Sequence, residues 1–194
     1  MKTCSIFFVC SLLLLSIPNV CSPQSEDLNL VTVDKNGREK LLGQVNKDAF
    51  MANSFKTWFS TGFDQYQVDS TTLEPIKKKF FEHHIKVFMG TWCGDSKREI
   101  PRFYKILEAI DFPKEQLQMI AVDNSKANYK KSPGGEEKGR NITKVPTFIF
   151  YNNGKEVNRI VESPIKSLEK DIVAIISGKK YIPNYSTALV LPQD

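Results

Sequence analysis

The sequence predicts an α/β domain with a mixed central sheet flanked by helices, and three stretches predict it. The first is Lys86-Val87-Phe88-Met89-Gly90-Thr91-Trp92-Cys93-Gly94-Asp95-Ser96-Lys97-Arg98-Glu99-Ile100-Pro101. It reads as a buried strand, a tight turn carrying one cysteine, and the start of a helix. The second is the short apolar run at residues 117–122, separated from the first by helix-spaced Phe103, Ile106, Leu107 and Ile110. The third is a pair of strands at 147–151 and 156–161 around Asn153-Gly154, a strong hairpin signal, followed by an amphipathic helix that Gly178 ends. Together they lay a βαβ unit and a ββα unit within residues 63–178.

The elements follow in chain order. Residues 1–22 read as a targeting segment: Lys2, then an apolar stretch at 6–17 too short to span a bilayer comfortably, then Pro18. Cleavage after Ser22, as a signal peptide, and lipidation of Cys21, as a lipoprotein leader, are both open. A short retained anchor is the blander alternative. The first two place the protein outside the cytoplasm, periplasmic or in the cell envelope, with a possible membrane tether through Cys21. Residues 23–62 form an N-terminal extension: a hairpin of residues 30–33 and 39–45 about Asn36-Gly37, then a helix capped by Asn46 or Asp48 and running through Trp58 and Phe59. Its aromatic stripe reads as core packing.

Residues 63–68 alternate weakly and are expected as the first strand of the main domain. Ser70 or Thr71 is expected to cap a helix to about Phe81, with Glu74 completing a capping box. His83 and His84 are expected at its C-terminus, where the helix dipole favours histidine; no metal-ligand spacing accompanies them, so no metal or cofactor is expected. The helix after Cys93 is expected to continue through Pro101 with a kink, to about Ile110. Asp123-Asn124 ends the strand at 117–122 beside the cysteine turn. Residues 130–135, Lys-Lys-Ser-Pro-Gly-Gly, are a loop by composition. Ser163, with Pro164 following, is expected to cap the last helix. Residues 179–194 form a Pro-interrupted tail.

The chain has 194 residues and a formal net charge of +5, with 25% charged and 41% hydrophobic residues. That is an ordinary globular composition, and no Lys/Arg block is dense enough to argue for nucleic acid. Of the four cysteines, Cys4, Cys10 and Cys21 lie in or at the leader, so the domain after it carries Cys93 alone and no internal disulfide is possible. A cysteine at a helix start faces unpaired N–H groups that favour thiolate, the reactive form, and Gly94 is expected to free the backbone beside it. A neighbouring carboxylate, Asp95, opposes this, and Lys97 and Arg98 partly offset it. The blander alternative is a buried, inert cysteine, which the polar flank argues against.

Trp92-Cys93-Gly94-Asp95-Ser96-Lys97 resembles the active-site motif of the thioredoxin family, Trp-Cys-Gly-Pro-Cys-Lys. Pro101 stands where that family carries its helix-kinking proline. Val145-Pro146-Thr147-Phe148 resembles the family's cis-proline segment, and Asn152-Asn153-Gly154-Lys155 the turn between its last two strands. The resemblance implies a three-layer sandwich, with a helix somewhere across residues 124–143 that the Pro-Gly-Gly loop breaks or extends. It implies a catalytic Cys93 within the motif Trp92, Gly94, Asp95 and Ser96, and a substrate groove at Val145, Pro146 and Thr147 with a cis Val145–Pro146 bond. It further implies a protein or small-molecule disulfide or thiol as partner.

Two departures matter. Ser96 replaces the second cysteine and removes the resolving thiol. Val87 stands six residues before Cys93, where the family places a buried acid. The sequence therefore supports a monothiol exchange protein that needs an outside thiol, with a redox-inactive binding or scaffold module as the alternative.

Overall fold

The computed structural model describes residues 28–186. The assignments made above to 1–22, Cys21 among them, and the last part of the 179–194 tail lie outside the described residues. Six strands form one sheet in the order β1-β2-β4-β3-β5-β6. These are β1 (Leu30–Val33), β2 (Glu39–Val45), β3 (His83–Met89), β4 (Leu117–Ala121), β5 (Thr147–Asn152) and β6 (Lys155–Val161). Only β3 and β4 run parallel, because the helix α5 (Gly94–Ala109) carries the chain back between them. β3 lies between β4 and β5, so the strand leading to Cys93 is interior. Asn153 and Gly154 both have positive φ, +48° and +75°, and close β5–β6 as the two-residue turn that Asn-Gly favours.

The N-terminal hairpin is continuous with this sheet. Residues 39–42 of β2 pair with β1, and Gly43, Gln44 and Val45 pair with Ala121, Ile120 and Met119 of β4. Gly43, with φ +74°, stands where β2 changes partner, a backbone setting that favours glycine.

Side chains from alternate sheet positions feed two cores. Ile85, Val87, Met89, Met119, Ala121, Phe148 and Phe150 face the helices and join the larger one. Phe88, Ile120, Val122, Val145 and Ile149 form the smaller one on the other face, with Trp92, Cys93 and Ile142 packed against it. That face is covered by residues 122–146, which form turns. The helix expected across 124–143 is absent: Pro133 and positive φ at Lys130, Gly135, Gly139 and Asn141 interrupt any helical run.

Several other sequence expectations are corrected. Residues 63–65 are helical, the end of α2 (Lys56–Gln65), and 66–68 are irregular, so there is no strand at 63–68. Phe59 and Phe63 stack one helical turn apart, with centroids 6.0 Å from each other, and this outweighs a faint alternation. The single helix expected from Asn46 to Phe59 is two. Asn46 does cap α1 (Lys47–Phe50), accepting from the Asp48 N–H, but Ala52 is extended and α2 restarts at Lys56. The break has a packing reason. Phe50 and Phe59 stack at 5.3 Å, yet nine residues of continuous helix are about two and a half turns and put them on opposite sides.

Asp69, rather than Ser70 or Thr71, caps α3 (Ser70–Leu73), accepting from Thr72 N and Oγ1. Pro75, which has no N–H, sits where the run tightens before α4 (Lys77–Phe80). His83 and His84 lie past that helix, as the first residues of β3 rather than its last turn. His83 is buried with Nδ1 2.9 Å from Lys79 O, and burial holds its pKa below the usual histidine value. His84 is exposed on the opposite side. The last helix, α6 (Leu168–Ile176), is capped by Ser167, not Ser163. The carboxylate of buried Asp171 accepts from Ile165 N and Lys166 N and from the Tyr181 hydroxyl, folding 163–167 into a turn and docking the tail.

Candidate functional site

The site is built at the C-terminal ends of β3 and β4. Gly90 follows β3, and a Cβ there would lie 2.5 Å from Trp92 Cε2, so only glycine lets the indole fold back over the turn. Gly90 O accepts from Cys93 N at 2.9 Å, closing the turn. Thr91 is buried and its Oγ1 accepts from Leu41 N of the hairpin at 3.2 Å. Trp92 is fixed by its Nε1–H, which donates to Val122 O at 2.8 Å.

Cys93 is the N-cap residue of α5, with extended backbone (φ −92°, ψ 128°), and its carbonyl accepts from Lys97 N at 3.0 Å. Cys93 is half-buried, and its Sγ donates to Val145 O at 3.2 Å. The structure thus brings together two residues 52 positions apart. The Val145–Pro146 peptide bond is cis. Val145 and Thr147 are buried; Thr147 Oγ1 donates to Lys144 O, and Pro146 O accepts from Glu162 N.

The rest of the motif divides. Gly94 is exposed at the first helical position without positive φ, and a Cβ there meets nothing within 4 Å. The backbone freedom expected of it is therefore not used; its effect is to leave the space beside the thiol open. Asp95 is tied to Arg98 at 2.8 Å. Arg98 also donates to Glu99 at 2.6 Å, a bond that raises the Arg98 pKa above its ordinary value. Ser96 is fully buried, and its Oγ accepts from Gly90 N at 3.2 Å. Ser96 thus holds the cysteine turn from below. Val87 is fully buried in the larger core, with no carboxylate on that position of β3.

Sequence reasoning missed two features. Lys40, on β2, and Asp123, just past β4, form a buried ion pair beneath the turn. Burial pushes the Asp123 carboxyl up, but hydrogen bonds from Lys40, Ser125 and the Asn124 N–H outweigh it and leave the group below the usual aspartate value. Their separation of 83 residues hid the pairing. The second feature is Tyr129, an exposed ring 5.8 Å from the Trp92 ring. At the far end of the sheet, a cleft of about 350 Å³ is lined by Val45, Tyr104, Leu107, Phe112 and Leu117. Its rim carries Lys47, Asp48, Glu108, Asp111 and Lys114, and it lacks a cysteine.

A family model described as Thioredoxin matches residues 67–175, more than half of the chain. The chain belongs to the thioredoxin family. It is 32% identical over 95 residues to a TPR repeat-containing thioredoxin TDX of Arabidopsis thaliana, covering 49% of this chain and 22% of that protein. It is 33% identical over 86 residues to the thioredoxin-like protein R548 of Acanthamoeba polyphaga mimivirus, covering 44% of this chain and 57% of that one. It is 30% identical over 88 residues to thioredoxin Asp f 29 of Aspergillus fumigatus, covering 45% and 73%. The chain thus spans under two thirds of the length of the first curated relatives that it matches. Among solved structures, the thioredoxin of Fasciola hepatica aligns over 55% of this chain and 89% of its own, at 21% identity and a TM-score of 0.34.

Proposed function

We propose that this protein is a monothiol thiol–disulfide exchange protein acting through Cys93. The observation that carries the proposal is the placement of Cys93: a half-buried residue at the start of α5, with Sγ 3.2 Å from Val145 O beside Pro146. A thiolate here attacks one sulfur of a substrate disulfide R–S–S–R′. The Cys93 S–S–R bond forms, the S–S bond of the substrate breaks, and R′S⁻ leaves and takes a proton.

Ser96 offers no sulfur to reverse the mixed disulfide. Its hydroxyl is buried under Gly90 N–H, and Cys93 is the free cysteine among the described residues. Release therefore requires a second thiol. A thiol on the substrate itself gives isomerisation; a small external thiol R″SH gives reduced substrate or a further exchange. The substrate strand pairs with the backbone at Val145, next to the sulfur, in the manner of strand addition. The leader, with cleavage after Ser22 or lipidation of Cys21, belongs to this proposal as an exported, cell-envelope location resting on the sequence alone.

A redox-inactive binding module is the second reading. Val87 in place of a buried acid, and Ser96 in place of a resolving thiol, favour it. Labelling of the folded protein with a small alkylating reagent across pH separates the two. The exchange reading expects Cys93 to be modified in the folded state, at a rate that rises with pH. Modification only after unfolding would leave the binding module in its place.

A further inference from the structure

Tyr129 is exposed at 54%, on a loop that hydrogen bonds tie down on both sides of it. Its segment is closed by Lys130 N donating to Asp123 O and Asp123 N donating to Lys131 O, both short backbone bonds. Lys130 has φ +59°, and its ammonium donates to Thr143 O while lying 4.7 Å from the Tyr129 ring centroid. Asp123, at the base of the loop, is locked by Lys40, Asn124 and Ser125. The ring is tilted 38° to that of Trp92, which is itself pinned to Val122 and immediately precedes Cys93. The Tyr129 hydroxyl makes no hydrogen bond among the described residues, so the ring is the feature that the loop presents.

A lone exposed tyrosine is ordinary. One fixed at both ends of its loop and paired with the indole next to the thiol forms an aromatic shelf. An exposed ring offers apolar area and a quadrupole with which a further ring can stack or meet edge to face. We infer that Tyr129 is a specificity-determining residue. With Trp92 it receives an aromatic or large aliphatic side chain flanking the half-cystine of a protein disulfide as that disulfide reaches Cys93. The inference rests on the exchange reading of Cys93 and names the substrate class of that site.

The test measures initial rates of mixed-disulfide formation by intact mass for the native protein, Tyr129→Ala and Tyr129→Phe. Three probes are used: a peptide disulfide with Phe next to its half-cystine, the same peptide with Gly there, and hydroxyethyl disulfide. The native protein is expected to prefer the Phe peptide over the Gly peptide by about 2- to 10-fold, the range of one aromatic contact. That ratio falls to about 1 in Tyr129→Ala and is retained in Tyr129→Phe. Equal rates for the two peptides with native protein, or a ratio that survives in Tyr129→Ala, overturns the inference. If the native protein does not react even with hydroxyethyl disulfide, the exchange reading itself fails, and the inference falls with it.

Discussion

The Cys93 thiol and the Val145 carbonyl oxygen face each other at 3.2 Å, with the sulfur as donor. The same carbonyl belongs to the backbone that an incoming strand would meet. The bond is made by the thiol form, since a thiolate has no proton to donate. The partner that fixes the thiol is thus backbone, and the Ser96 hydroxyl serves a different donor, Gly90 N.

That second bond gives a direct prediction. In Ser96→Ala the buried Gly90 N–H loses its acceptor, at a cost of about 1–3 kcal/mol. Equilibrium unfolding in urea should show a lowered midpoint with an unchanged slope. A midpoint equal to that of the native protein would contradict the role assigned to Ser96 in holding the turn.

Ser96→Cys tests the chemistry at the same position. A thiol three residues after Cys93, on the first turn of α5, supplies the sulfur that can attack a mixed disulfide. The adduct with a peptide disulfide should then decay without added thiol, at least about tenfold faster than in the native protein, with an intramolecular disulfide as product. Time-resolved intact mass reads both species. A persistent adduct in the variant means that the buried position cannot reach the sulfur.

The Lys40–Asp123 pair makes stability depend on pH. The folded Asp123 carboxyl titrates below its unfolded value, about 3.9 for an ordinary aspartate. Its contribution is therefore fully present above that value and is lost as pH falls through the lower folded value. Asp123→Asn leaves Lys40 buried without its counter-charge, and about 3–5 kcal/mol should be lost at pH 7. The difference between variant and native protein should shrink as acid protonates Asp123. A difference that stays constant from pH 7 down to pH 2 would contradict the assignment.

Gly62 reports on how α2 packs against α5. A Cβ at Gly62 would lie 2.7 Å from Pro101 Cγ, on a ring that cannot move aside. Gly62→Ala ordinarily strengthens a helix, yet here overpacking should destabilise by about 1–3 kcal/mol. Thermal unfolding distinguishes the two signs.

Much of this was legible in the sequence where local signals and the wider pattern agreed. The buried run Val87-Phe88-Met89, the helix after Cys93 and the Asn153-Gly154 hairpin each carry a short-range signature that packing did not override. Where packing decided, local signals misled. Stacking of Phe50 on Phe59 split one helix into two, and Asp171 moved the last cap from Ser163 to Ser167. At the site, the motif residues were legible from their spacing. Lys40 and Tyr129 were not: Lys40 comes to the site through the pairing of β2 with β4, and Tyr129 through a 123–131 turn that closes on itself by Lys130 N–Asp123 O and Asp123 N–Lys131 O.

The central claim is that Cys93 forms a mixed disulfide that the protein cannot resolve alone. Intact-mass spectrometry over time, after mixing the native protein with a disulfide peptide, tests it most directly. The predicted result is one adduct per chain that persists until a small thiol is added, then vanishes, and that never forms in Cys93→Ala. Native protein that stays unmodified while an unhindered model thiol is consumed under the same conditions would contradict it.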